Sequence, residues 1–219
     1  MTGLSSSPKL LKGALVLIDA ETAAIRRVIT LQYNPDSLSR TLQVQGAGAE
    51  GGDRSEALRL KGSAVESIKL EAEVDAADQL EFPDQNRNAV QLGIHPQLAA
   101  LEMLVNPPSA ELAAAQALAA AGVIEILPAE APLTVFVWSR QRILPVRVTE
   151  LSVTEEAFDP ALNPIRAKVS LGLRVLRVDD VGFGHRAGHL FMSYLQGKEK
   201  LVGKSPPGTL SASGLGGLP

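Results

Sequence analysis

Alternation of apolar and polar positions is the strongest signal along this chain. It predicts strands over residues 12–18, 25–33 and 38–44. Ile29, Leu31 and Tyr33 share one face of the second, and Leu38, Leu42 and Val44 are the inward set of the third. Asn34-Pro35-Asp36-Ser37 is a strong turn signal between them, so the three read as an antiparallel meander. Residues 67–75 alternate most cleanly. Ile68, Leu70, Ala72 and Val74 point one way, and Ser67, Lys69, Glu71, Glu73 and Asp75 the other, which predicts one buried face and one wet face.

The period then changes. Leu98, Leu101, Leu104 and Val105 fall at helical spacing over 96–105, with Pro96 suited to the first turn. Pro107-Pro108 ends that helix, Ser109 is placed to cap an alanine-rich second helix over 110–121, and Gly122 stops it. The pair reads as a helical hairpin over 95–122 that braces the sheet. Period two returns over 133–138, 143–154 and 165–178, the middle strand reaching on to Phe158. Pro145 suggests an edge or bulge position. The phase slip between Val146/Val148 and Leu151/Val153 predicts a bulge. Near the end, Ala187, Leu190, Phe191, Tyr194, Leu195, Leu201 and Val202 mark an amphipathic helix of about four turns.

The expected fold is mainly β within the α+β class: an antiparallel sandwich or barrel with an inserted helical hairpin and a C-terminal helix. Residues 1–180 make the β domain, with a glycine-rich flexible loop over 46–62. Residues 181–219 make the helix and a disordered Gly/Pro/Ser tail. At 219 residues the chain is long enough to bury a core without staples.

Composition removes many chemistries. There is no cysteine, hence no thiol nucleophile, thiolate metal site or disulfide scaffold. With 21 basic and 24 acidic residues the chain has no electrostatic footprint for nucleic acid. The first nine residues lack a signal-peptide core, and no apolar run is long enough to span a membrane, so a soluble protein assembled in the cytoplasm is expected. His185 and His189 are four apart, but a metal site needs a third ligand, and solvated histidines are the commoner case. His95 reads as a residue at the start of a helix. Glu155, Glu156 and Asp159 flank an exposed proline-rich hairpin tip, not a cleft that could separate two pKa values. No G-x-S-x-G or G-x-x-x-x-G-K-[ST] occurs, and Gly182-Phe183-Gly184 lacks the third glycine of a dinucleotide fingerprint. No enzyme and no cofactor is expected.

Charge on the strands is more informative. Arg140, Arg142 and Arg147 on one hairpin, and Arg166, Lys168, Arg174 and Arg177 on the last strand, face the acidic set Glu71, Glu73 and Asp75. Two readings stay open: cross-strand pairing on a solvated face, or complementary charge between neighbouring copies of a ring. The seam Leu190, Phe191, Tyr194 and Leu195 is the other candidate interface: it either packs back on its own sheet or, the favoured reading, docks on a neighbouring subunit or a wedge protein.

Two stretches resemble a known family. Leu31-Gln32-Tyr33-Asn34-Pro35-Asp36-Ser37-Leu38 is similar to the N-terminal signature of contractile injection system tube-associated proteins. Pro132-Leu133-Thr134-Val135-Phe136-Val137-Trp138, then residues 146–154, Phe158-Asp159-Pro160 and Pro164-Ile165-Arg166-Ala167-Lys168-Val169-Ser170-Leu171, resemble that family's longer block. Ser139 and Asn163 stand where glycine is common, and nothing after Val178 resembles a LysM module. The resemblance implies a tail-tube-like fold and a structural role in a baseplate hub, where a hexameric ring joins a trimeric spike to the inner tube. The implied partners are further copies, the spike, the inner tube protein and the sheath and baseplate wedge proteins, in a phage-tail-like particle kept in the cell or released. The alternatives are the inner tube protomer itself and a cell-wall-binding module. A wall-degrading enzyme would need two positioned acids in an aromatic-rich groove.

Overall fold

The computed structural model describes residues 11–46, 59–122 and 131–208. Seven strands form one antiparallel sheet: β1 (Ala14–Ile18), β2 (Ile25–Thr30), β3 (Leu38–Gln43), β4 (Val65–Asp75), β5 (Leu133–Ser139), β6 (Arg142–Phe158) and β7 (Pro164–Val175). Their order is β2-β1-β5-β6-β7-β4-β3. Between β4 and β5 lie α1 (Ala77–Leu80), α2 (Arg87–Leu92), α3 (His95–Glu102) and α4 (Ser109–Ala120), and after β7 come α5 (Val178–Val181) and α6 (Arg186–Val202). The chain is a mainly-β α+β protein, as the patterning predicts.

The strands make one curled layer rather than two stacked sheets. The curl brings Gln32, just past β2, back to β4, where its carboxamide donates to the Asp75 carbonyl at 2.6 Å and accepts from the Asp75 N–H at 2.9 Å. Leu15, Ile68, Phe136, Leu144, Val146, Val169, Leu171, Leu173 and Val175 fill the concave side, together with Leu98 and Leu101 of α3 and Phe191 and Tyr194 of α6. Phe136 and Trp138 stack with ring centroids 5.9 Å apart. Trp138 also lies over Gly13, where a Cβ would come within 2.9 Å of the indole and force the ring to shift.

The meander expected at the start does not form. β1 and β2 pair, but β3 pairs with β4, which leaves β2 and β3 at opposite edges. The reason is the turn itself. Asn34 accepts from the Gly13 N–H and donates to the Leu11 carbonyl, so it is tied to the start of β1 and the chain is sent across the sheet. Leu38 of β3 is half-buried, whereas Leu42 and, just past the strand, Val44 are exposed, contrary to the inward face read from the sequence.

The long hairpin β6–β7 is read more accurately. Its register shifts between Val148 and Glu150, where the phase slip predicts a bulge. Gly172 sits opposite, and a Cβ there would approach that of Glu150 to 2.9 Å. Pro145 is buried on the central strand, not on an edge. Its carbonyl accepts from the Leu176 N–H, just past the last paired residue, Val175. The proline's missing donor therefore faces the end of the β7 ladder, where no further rung is needed.

The helical insertion also departs from expectation. α3 buries Leu98 and Leu101. α4 buries no residue and is not the expected brace. Ser109 lies inside α4, and Pro108 occupies the cap position without a side-chain bond. The insertion is instead fastened near the tip of the β6–β7 hairpin. Ile94 N–H donates to the Pro164 carbonyl at 2.8 Å, and Gly93, at φ 55°, passes so close to that carbonyl that a Cβ would overlap it. Of the loop expected over 46–62, residues 47–58 lie outside the described residues, as do 209–219 of the expected tail. Gly46 bridges to Leu60.

Candidate interaction surface

The convex face of β6, β7, β4 and β3 carries the polar halves of the alternating strands. Arg166, Lys168 and Ser170 of β7 lie beside Asp75, Glu73 and Glu71 of β4 in register. Arg166 Nε donates to Asp75 Oδ2 at 2.7 Å and lies 3.6 Å from Glu73 Oε1. Asp75 and, to a smaller extent, Glu73 raise the Arg166 pKa. Lys168 Nζ pairs with Glu156 at 2.8 Å, which raises its pKa in turn. Lys69 reaches Glu150 at 3.5 Å. Apart from the buried Asp75 these groups are largely open to solvent, and exposed pairs add little to stability. Their effect is to fix where each charge stands.

The basic stripe read from the sequence is divided by the length of β6. Arg142 begins that strand, whereas Arg166 pairs with Ala157 near its other end. Arg140 and Arg147 are exposed and Arg142 half-buried, with no ion pair among the described residues. Arg174 and Arg177 turn to Asp180 and Asp179 of α5. Arg177 is buried and donates to the Ser63 carbonyl at 2.6 Å. Arg166, Lys168 and Glu73 thus each have a cross-strand partner within the chain.

The seam of α6 is turned inward. Phe191 and Tyr194 are buried in the sheet's own core, and Leu190 and Leu195 are half-buried against it. The sequence reading missed what fastens this helix. Glu66, 3% exposed, lies on the inward face of β4 in phase with Ile68 and Leu70. Arg40 Nε donates to it at 2.7 Å, Lys198 Nζ at 3.2 Å, and the Tyr194 hydroxyl contacts both of its oxygens. Arg40 also donates to that hydroxyl at 2.8 Å, and Lys198 lies 4.1 Å from the Tyr194 ring centre. One buried carboxylate thus joins β3, β4 and α6. The available signal was the phase: the alternation of β4 runs back one step beyond Ser67.

The histidines and acids weighed as chemistry have structural places. His185 caps α6 by accepting from the Ala187 N–H, while His189 and His95 are exposed. No group of three potential metal ligands occurs among the described residues. Asp159 accepts from the Ala161 and Asn163 backbones and the Asn163 side chain, and those bonds hold its carboxyl below the usual range. Among the described residues, no helix is long and apolar enough to cross a membrane.

The two stretches that carry the family resemblance meet in space. Gln32, from the first, and Arg166, from the second, both bind Asp75. Beside them, Tyr33, Asn34, Pro35, Asp36 and Ser37 face Glu71, Glu73 and Lys168 across a recess of about 520 Å³. No family model matches this chain, and no curated protein does. Among solved structures it is similar to a chain in the tail of an empty gene transfer agent particle with C6 symmetry, at 12% identity and a TM-score of 0.29, over 74% of this chain and 90% of that one. It is also similar to a chain in the virion of a native gene transfer agent, at 12% identity and a TM-score of 0.28, over the same shares.

Proposed function

We propose that the chain is a structural subunit of a phage-tail-like contractile particle, a ring-forming adaptor between the trimeric spike and the hexameric inner tube. The observation that carries this reading is the corner at Asp75. Two signature stretches far apart in sequence are tied to one buried residue, Gln32 to the Asp75 backbone and Arg166 to the Asp75 carboxylate, so the residues behind the resemblance form one built feature. The surroundings support it. The sheet offers a wide convex face of small and charged side chains, and β2 and β3 are its edge strands among the described residues. On this reading Arg140, Arg142, Glu71 and the outer parts of Arg166, Lys168 and Glu73 meet neighbouring copies. Leu190 and Leu195 contribute only where α6 is still exposed.

The tube protomer is the second reading, and the packing of α6 favours it. A helix folded onto its own sheet leaves a compact body that can stack in rings. Co-expression with the spike and inner tube proteins separates the outcomes. The adaptor reading expects a sixfold ring bound to the spike by native mass spectrometry, at fixed copy number per particle. Copy number that rises with tube length supports the protomer reading, and a chain absent from every particle overturns both.

A further inference from the structure

β3 covers β4 only from Val65 to Leu70. Beyond that point the β4 edge faces a gap, on whose far side runs β2, the last strand of the sheet. Ile29, Leu31, Ala72, Val74, Ala100 and Leu101 line the floor of a groove of about 280 Å³ between them. Backbone polarity along this stretch is set at its C-terminal end. Ala76 N–H donates toward β7, to the Ile165 carbonyl, whereas Asp75 N–H and carbonyl face the gap and pair with the Gln32 side chain. Strand alternation then turns the peptide groups of Glu73 and Glu71 toward the gap as well. Gln32 imitates one peptide unit of an absent strand at Asp75. No backbone bond from β2 or the 31–37 connection reaches Glu71 or Glu73 among the described residues. Asp36, Glu71 and Glu73 line the recess that adjoins this groove and shares Ala72 and Glu73 with it. Of these, Asp36 and Glu71 have no ion pair among the described residues, while the nearby Lys168 is paired with Glu156.

We infer that this gap is a strand-addition site for an extended segment of a partner protein in which apolar and basic residues alternate. The segment's backbone hydrogen-bonds to Glu71 and Glu73. Its apolar side chains enter the groove over Ala100 and Leu101, and its basic ones lie beside Glu71 and Asp36. The site stands on the gap's own geometry, whether or not the chain assembles as proposed above.

The test uses the full chain and a fluorescent acetylated heptapeptide of alternating valine and lysine, read by fluorescence anisotropy. A twin peptide, N-methylated at alternate residues, keeps the side chains but cannot donate along one edge. The inference expects saturable 1:1 binding of the first peptide and none of the twin. Glu71→Lys, at an exposed position, should weaken binding by about fivefold, the scale of one cross-strand charge pair. Ala100→Phe, which fills the groove, should abolish it, with both variants keeping the parent melting temperature. Equal binding of the twin, or of the Glu71→Lys chain, overturns the inference, because charge or stickiness alone would then explain it. Release of monomers from an oligomer by the peptide would also overturn it, by making a second copy the occupant.

Discussion

Helices α4 and α6 exchange the places their sequences suggest: α4, expected to brace the sheet, buries no residue, and α6, expected to dock on a neighbouring subunit, packs on its own sheet. α6 places Ala187, Phe191 and Tyr194 in the cores and ties its middle to Glu66. α4 leaves Leu112 and Leu118 about half exposed and buries no residue. The difference lies in what each apolar stripe carries. Alanine has high helix propensity but little area to bury, so a run of it specifies a helix without specifying where the helix docks. An aromatic pair with a polar tip finds one place where both ring and hydroxyl are satisfied.

The largest test of this contrast is removal of α6. A chain ending at Asp180 exposes the core beneath Phe191 and Tyr194, each worth ~1.5–3 kcal/mol when fully buried. We expect aggregation, or a melting temperature lower by many degrees, in size-exclusion chromatography and calorimetry. An unchanged melting temperature would return α6 to the role of an external arm. Glu66→Ala comes next. It leaves Arg40 and Lys198 without their shared carboxylate, and the loss of one partner of a buried ion pair costs about 3 kcal/mol, the low end because both cations still reach water. Urea unfolding should show that drop in midpoint with the slope unchanged.

Gly93→Ala sharpens the comparison within the insertion itself, since α2 and α3 are anchored where α4 is not. A Cβ in that left-handed conformation meets the Pro164 carbonyl, and we expect a cost of about 2 kcal/mol. The hairpin tip next to this anchor is sensitive to acid. The folded Asp159 carboxyl is lowered by its Asn163 bonds, so its contribution is complete above about pH 4 and is lost as pH falls through the lowered folded value. Asp159→Asn should flatten that low-pH limb of melting temperature against pH. Leu112→Ser in α4 should be the mildest change, within about 0.5 kcal/mol, as for exposed sites generally.

How legible the fold was follows the same logic. The alternation in β4 and β7, the bulge near Glu150 and the existence of α6 could all be read, because large side chains at fixed spacing have one way to be buried. The pairing of β3 could not. It depends on Asn34 binding Gly13 and Leu11, a contact across the chain that no local pattern announces. Arg166 was visible as one charge of the stripe, with its partner left open between the opposite strand and a neighbouring copy. Asp75 takes it within the chain, because the register of β4 and β7 sets the two residues opposite each other. Glu66 was overlooked because a carboxylate on an apolar face reads as the strand's end until the cations that neutralise it come from elsewhere.

Electron microscopy of assembled particles from the parent cell tests the central claim most directly, with this chain carrying a visible tag on its N-terminus. The account predicts one sixfold ring of tag density between spike and inner tube, unchanged in particles of different length. Tag density repeated along the tube, or none in any particle, would contradict it.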